Sequence, residues 1–315
     1  TGYLTSESVF ALDRPPRSVA VLGGGPMGCE LAQAMRRLGV DTTLLELEPR
    51  LVPRDEPALA ALLEGVLRGE GVDVHVGARV RSVERDGGGA VVVADGPAGE
   101  IRRTVEAVIV AAGRHPNVEG LGLEALGIGV GPDGIEVDGA LRTSVRSVYA
   151  AGDVAGRYRF THAAAHEAAV ALRNMFLPWR QKPSSVIPWA TFTDPELAGV
   201  GLTEQAASER HGAKHVRVWR HDLTASDRAR ADAATDGALL LVTAKGRLVG
   251  AHALAPSAGE VINELAVAVG TRMRLRDLAL HVHVYPTYAT SVQRLAGDAT
   301  YELLRRLRPL VRRSR

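Results

Sequence analysis

The sequence predicts an α/β fold: a parallel-sheet unit that carries a short antiparallel meander, a middle block with few strands of its own, and a closing α+β domain. Three observations lead there. First, the apolar run Ser18-Val-Ala-Val-Leu22 passes through Gly23-Gly24-Gly25-Pro26-Met27-Gly28 into a helix-like stretch from Met27 to Leu38, the order strand, glycine turn, helix. Second, short strands alternate with helical periodicity as far as residue 113, the pattern of βαβ units. Third, beyond residue 184 strands and helices mix around a hairpin, which reads as α+β rather than a second doubly wound unit.

Residues 1–17 read as a linker, with Pro15-Pro16 ahead of the first strand. The unit from 18 to 113 continues from its first strand and helix to a strand at Asp41–Glu46. A helix from Asp55 to Glu70 follows, where Leu59, Leu62, Leu63, Val66 and Leu67 recur at helical spacing. Residues 71–76 alternate like a strand. The segments 80–85, 90–94 and 101–107, separated by glycine-rich turns, read as the meander, and 107–113 as a buried strand. The block 114–183 offers a strand at 145–153 and a helix at 162–176, too little for a sheet core of its own. From 184 to 307 come strands at 187–192, 198–202 and 215–219, a hairpin of 238–243 and 248–254, and helices at 259–269 and 288–307. A basic tail, 308–315, closes the chain, and no repeat of fixed period is present.

Composition sets bounds on function. With 315 residues and 46% hydrophobic content the chain can bury a core in each of two domains. Net charge is only +2, and the basic cluster Arg305, Arg306, Arg308, Arg312, Arg313 and Arg315 has no aromatic or basic stripe elsewhere to accompany it. A solvated final helix is therefore expected rather than a nucleic-acid surface. Cys29 is the only cysteine, so no disulfide forms within the chain and a reducing, cytoplasmic setting is expected. No apolar run approaches a membrane span, and the first residues lack the order of a signal peptide.

The glycine turn carries the chemistry. Gly23 permits the sharp turn, Gly25 lets backbone approach a pyrophosphate, and Gly28 lets the helix pack closely on the sheet, with Pro26 tolerated in the first helical turn. Phosphates then meet the free N–H groups of the helix start. Glu46 ends the second strand about 20 residues beyond the glycines, where an acceptor for the adenosine ribose 2′-OH belongs. The ligand predicted is a dinucleotide held by a Rossmann-like unit. Glu46 favours NAD over NADP, because a carboxylate repels a 2′-phosphate, while nearby Arg50 keeps NADP open.

Further segments follow in a characteristic order: Ala112-Gly113-Arg114-His-Pro116-Asn117, then Thr143 to Asp153, then Thr191-Phe-Thr-Asp-Pro195-Glu196, then Val200-Gly201-Leu202-Thr203-Glu204. Together with the fingerprint they resemble the pyridine-nucleotide disulfide oxidoreductases, a family of flavoproteins, over nearly the whole chain. Gly2-Tyr3-Leu4-Thr5 and His283-Val-Tyr285-Pro286-Thr287 resemble its mercuric-reductase-like members most. The resemblance implies that Gly23, Gly25, Gly28 and Glu46 hold NAD, with Val80 and Gly113 lining the same cofactor. It places Glu30 near nicotinamide and flavin. Asp153 would contact the ribityl chain of FAD, with Thr161 and His162 beside the flavin; read without the family, Asp153 is a helix N-cap. It further implies a homodimer through residues 184–307, and makes 114–183 the later part of an FAD domain.

Two departures from the family stand out. Its members carry, before the segment seen here, a first glycine fingerprint for FAD and a Cys-x4-Cys pair, so the chain reads as a fragment, a truncated product or half of a split enzyme. Its disulfide-reducing members also place a His directly before a Pro and a Glu five residues after that His; here those positions are Tyr285 and Thr290. A Tyr of ordinary pKa, about 10, is no base near neutrality, so dithiol chemistry is not expected. Tyr285 suits a metal-ion or other small-molecule acceptor. His283 and His281 either substitute for the missing base, bind a soft metal, or simply share one face of a strand. The functional expectation is an FAD-dependent NAD(P)H oxidoreductase, the alternative a catalytically incomplete module that binds nucleotide and dimerises.

Overall fold

The computed structural model describes residues 2–311, with side chains as far as Arg305; of the basic cluster only the Arg305 side chain is described, so the expectation attached to the cluster lies outside the described residues. The chain divides into two compact units, one of residues 1–112 with 188–315 and one of 113–187.

The first unit opens with a segment that is tied down: Leu4 bridges Ile109 in parallel, its amide donating to the Val108 carbonyl across 2.7 Å. Then come β1 (Ser18–Leu22), α1 (Pro26–Arg37), β2 (Asp41–Leu45), α2 (Pro57–Gly69) and β3 (Asp73–His75). Strands β4 (Arg79–Asp86), β5 (Gly89–Gly96) and β6 (Gly99–Val105) form the antiparallel meander, and β7 (Ala107–Val110) returns to the parallel sheet, whose order is β3-β2-β1-β7. Alternation along β1 sorts its two faces. Val19 and Val21 join Cys29 and Ala32 of α1 and Leu59, Leu63 and Leu67 of α2 in one core, while Ala20 packs with Val92, Ala94 and Val105 of the meander. Both faces are thus buried, as a parallel sheet requires.

The second unit holds only the two-residue strands β8 (Val130–Gly131) and β9 (Gly134–Ile135), short 3₁₀ turns at Glu124–Leu126 and Gly152–Ala155, and α3 (Thr161–Phe176). The strand expected at 145–153 is absent; Tyr149 makes one isolated bridge to Arg142. Its apolar residues Val145, Val148 and Ala150 bury in a small cluster with Ile128 and Ile135 instead of pairing in a sheet. Apolar alternation reports burial, and here burial comes without a partner strand.

Back in the first unit, β10 (Trp189–Thr191), β11 (Glu196–Gly201), α4 (Glu204–His211), β12 (Val216–Asp222), α5 (Asp227–Ala231), β13 (Ala238–Ala244) and β14 (Arg247–Ala255) precede α6 (Ala258–Gly270), α7 (Leu275–Leu278) and α8 (Thr290–Val311). These strands build one antiparallel sheet in the order β10-β11-β14-β13-β12. Every residue of β13 is buried. Helices α4, α6 and α8 all pack on this sheet, and α2 touches β14, so apolar alternation is lost in its central strands. The sequence reading missed α4, α5 and α7. All are short, and α4 is nearly devoid of an apolar stripe; its signal is the N-cap Thr203, whose hydroxyl accepts from the Ala206 amide.

Candidate functional site

The glycine turn is built by close contacts. Gly23 adopts φ +109°, open only to glycine, and a Cβ there would lie 2.7 Å from the Ala111 carbonyl oxygen. A Cβ on Gly28 would run into the carbonyl of Gly23. Gly25 differs: its φ is −72°, allowed to any residue, and a Cβ would meet no protein atom within 4 Å. The protein does not need glycine at 25.

Glu46 stands just past β2 and is buried. Its Oε2 accepts from the Gly24 amide at 2.5 Å and its Oε1 from the Glu48 amide at 2.7 Å. Each carboxylate oxygen keeps a further lone pair for a ligand hydroxyl. The loop after Glu46 is clamped to the turn: the Val52 amide donates to the Gly24 carbonyl across 2.8 Å, and Val52 itself sits at φ 40°. A β-branched residue there costs roughly 1–3 kcal/mol, so the surrounding contacts must hold it. Arg50 donates to the Pro53 carbonyl, and its buried Nε has no partner.

Other expected residues of this unit lie as follows. Glu30, on α1, is half-buried; its Oε1 accepts from the Phe192 amide at 2.7 Å, and burial raises its pKa against that bond. Val80, in β4, packs beside Leu45 and Ala94. Cys29 donates to the Gly24 carbonyl, is wholly buried, and burial followed by the charge of Glu46 pushes its thiol far up, so it is inert at neutral pH.

Near the C-terminus, residues 281–285 form no strand. His281 is exposed, whereas the His283 side chain is only 8% exposed, so the two rings do not share a strand face. His283 Nε2 lies 2.7 Å from Glu264 Oε1 and its Nδ1 3.0 Å from the His281 carbonyl. Both ring nitrogens are therefore engaged. Tyr285 is exposed and its hydroxyl donates to Asp227 Oδ2 at 3.2 Å.

In the second unit, Asp153 lies inside the 3₁₀ turn and pairs with Arg114 at 2.7 Å. It caps no helix: the N-cap of α3 is Phe160, without a side-chain bond, so that alternative reading of Asp153 is corrected. Thr161 and His162 begin α3, with the His162 ring stacked on Phe160 at 5.4 Å, and Gly113 adopts φ +123°. The sequence reading passed over Glu167, buried on α3, which accepts from the Gly152 amide at 2.8 Å and so holds the turn that carries Asp153.

The model of a family described as pyridine nucleotide-disulphide oxidoreductase matches residues 1–168, and that of its dimerisation domain matches 187–296. The chain belongs to this family. It resembles a mercuric reductase of Streptomyces lividans, 35% identical over 305 residues, covering 96% of this chain and 64% of the relative. A dihydrolipoyl dehydrogenase of Chlorobaculum tepidum is 33% identical over 94% of this chain and 64% of its own length. The chain thus spans just under two thirds of these curated members. Among solved members, LpdA from Mycobacterium tuberculosis superposes with a TM-score of 0.85 at 29% identity, covering 94% of this chain and 64% of that one. The HOCl-induced flavoprotein disulfide reductase RclA from Escherichia coli gives 0.84 at 26% identity, over 94% and 68%. Family members are flavin- and pyridine-nucleotide-dependent oxidoreductases, and the C-terminal sheet is a dimerisation domain. Among the described residues no helix is long and apolar enough to cross a membrane.

Proposed function

We propose that the chain carries the nicotinamide-dinucleotide site, part of a flavin site and the dimerisation domain of an FAD-dependent NAD(P)H oxidoreductase similar to mercuric reductase. In this reading it works in the cytoplasm as a homodimer through residues 184–307. The observation that carries it is Gly25, directly before α1, where a Cβ would meet no protein atom within 4 Å, next to Gly24, whose amide donates to the Glu46 carboxylate. Gly23, Gly25, Gly28 and Glu46 would hold the dinucleotide, with Val80 and Gly113 lining it; Asp153, Thr161 and His162 would contact flavin. When bound, the two cofactors supply hydride transfer and onward electron flow. The chain's own residues admit, orient and pair. Gly25 leaves room for a pyrophosphate at amides that carry partial positive charge. Glu46, held by two backbone amides, keeps its remaining lone pairs toward a ribose hydroxyl. Glu30, whose pKa burial raises, would stand on the same helix near nicotinamide and flavin. His283, with both nitrogens engaged, positions the segment that presents Tyr285.

NADH is the preferred donor. Glu46 repels a 2′-phosphate, and Arg50, which could neutralise one, is turned onto the Pro53 carbonyl. A metal ion or other small molecule is the acceptor: one relative is a mercuric reductase, RclA has been solved as a Cu(II) complex, and Tyr285 and Thr290 stand where a dithiol-handling pair would be.

A second reading treats the chain as a nucleotide-binding and dimerising module, favoured by a single inert cysteine. Calorimetry of the purified chain with NADH, NADPH and FAD decides. NADH binding tighter than NADPH, with flavin uptake that NADH bleaches, supports the first reading. Nicotinamide binding without flavin favours the module, and no nucleotide binding sinks both.

A further inference from the structure

Beside Tyr285 the structure holds a group that neither family nor fingerprint assigns. His221, near the end of β12, is 7% exposed, and its Nε2 is buried without a hydrogen-bond partner. It lines a cavity of about 10 Å³ together with Ser226, Asp227, Tyr285, Ser291 and Arg294. That volume is about one water molecule, and although the lining surface is more apolar than polar, the residues around it include the polar side chains of His221, Ser226, Asp227, Tyr285, Ser291 and Arg294, partners for a water. An unpartnered buried ring nitrogen is costly, and a water there relieves it. The wall groups are already oriented: Tyr285 donates to Asp227, Arg294 lies 3.6 Å from Asp227 and donates to the Ala225 carbonyl at 2.7 Å.

We propose that His221 belongs to the Tyr285 site: it binds one water in the cavity the two side chains share, the water donating one hydrogen to His221 Nε2 and the other to the Tyr285 hydroxyl oxygen, whose own hydrogen stays on Asp227. Burial and then the charge of Arg294 lower the His221 pKa. Asp298 on α8 and Asp222 on β12 oppose that shift, while Asp227 and Arg228 of α5 also face the cavity. The assignment rests on Tyr285 being a site residue, yet its test needs neither cofactor nor turnover.

The test is a histidine-ring nitrogen NMR titration of the whole chain from pH 4 to 8, with His221 assigned by His221→Gln. Exposed Tyr285 loses only its hydroxyl in Tyr285→Phe, and Ser291→Ala removes a wall group should that variant prove unsound. His221 is expected to titrate below the ordinary 6.5, and either variant to move its midpoint by roughly half a pH unit or more. A midpoint that stays put in both, with the fold intact by circular dichroism, overturns the proposal. So does a crystal structure with no water on His221 Nε2. Neither result bears on nucleotide binding, so failure here is distinguishable from failure of the redox reading.

Discussion

The Trp189 indole donates to Asp55 Oδ1 across 2.6 Å, tying the loop after β2 to the first strand of the C-terminal sheet. Glu56, next in sequence, accepts from the Glu204 amide at the N-terminus of α4. The loop that clamps the glycine turn is thereby anchored in the antiparallel sheet as well.

Asp55 is expected to shape the pH dependence of stability. Burial raises its pKa from 3.8 to about 6, against the bond from Trp189. The folded state then binds more protons than the unfolded one between those values, so Asp55's contribution is full below pH 4 and is lost as pH rises to about 6. The loss is at most about 3 kcal/mol, two units at 1.36 kcal/mol each. Asp55→Asn keeps an acceptor for Trp189 and should be more stable than wild type at pH 7, with the advantage shrinking toward pH 4. Urea unfolding across that range measures it; an advantage independent of pH would refute the assignment.

The fingerprint glycines should separate by substitution. Gly25→Val is expected to fold normally and to lose dinucleotide binding by at least tenfold, since a Cβ there meets no protein atom within 4 Å and the proposed pyrophosphate would lie over it. Gly28→Ala should fail to fold or lose several kcal/mol, because its Cβ overlaps the Gly23 carbonyl. Thermal unfolding and calorimetry on each suffice, and unimpaired binding in Gly25→Val would remove the main support for the dinucleotide site.

Glu46→Gln should act on both stability and choice of cofactor. Its amide nitrogen cannot accept, so one of the Gly24 and Glu48 amides loses its partner, at about 1–3 kcal/mol. With the negative charge gone, the ratio of NADPH to NADH dissociation constants should fall severalfold. An unchanged ratio would place the ribose elsewhere.

Asp153→Ala removes a half-exposed ion pair with Arg114 and should change stability by less than about 1 kcal/mol. Flavin uptake, followed by quenching of flavin fluorescence, should drop sharply. Retained uptake would show that Asp153 is not a flavin contact.

The parallel unit was legible because each strand there obeys local rules: apolar runs, glycine turns and helical spacing that agree with the pairing actually formed. Where order depended on distant partners, legibility failed. The run 145–153 looks like a strand by composition, but no strand lies beside it, so its apolar side chains bury without a ladder. His283 looked available until Glu264, nineteen positions earlier, proved to hold its Nε2. The orphaned Nε2 of His221 could not be foreseen, since nothing within the strand Val216–Asp222 signals that residues of α5 and α8 line a cavity beside it.

By itself the sequence determined the α/β class, the glycine turn and its acidic partner, and the family, because these rest on residue types at short spacings that act through backbone geometry. Only the tertiary structure decided which fingerprint glycine is free of protein contacts, where Arg50 turns, and which groups stand behind Tyr285. Those outcomes depend on contacts between segments far apart in the chain, and hydrogen-bond satisfaction and burial are properties of the packed molecule alone.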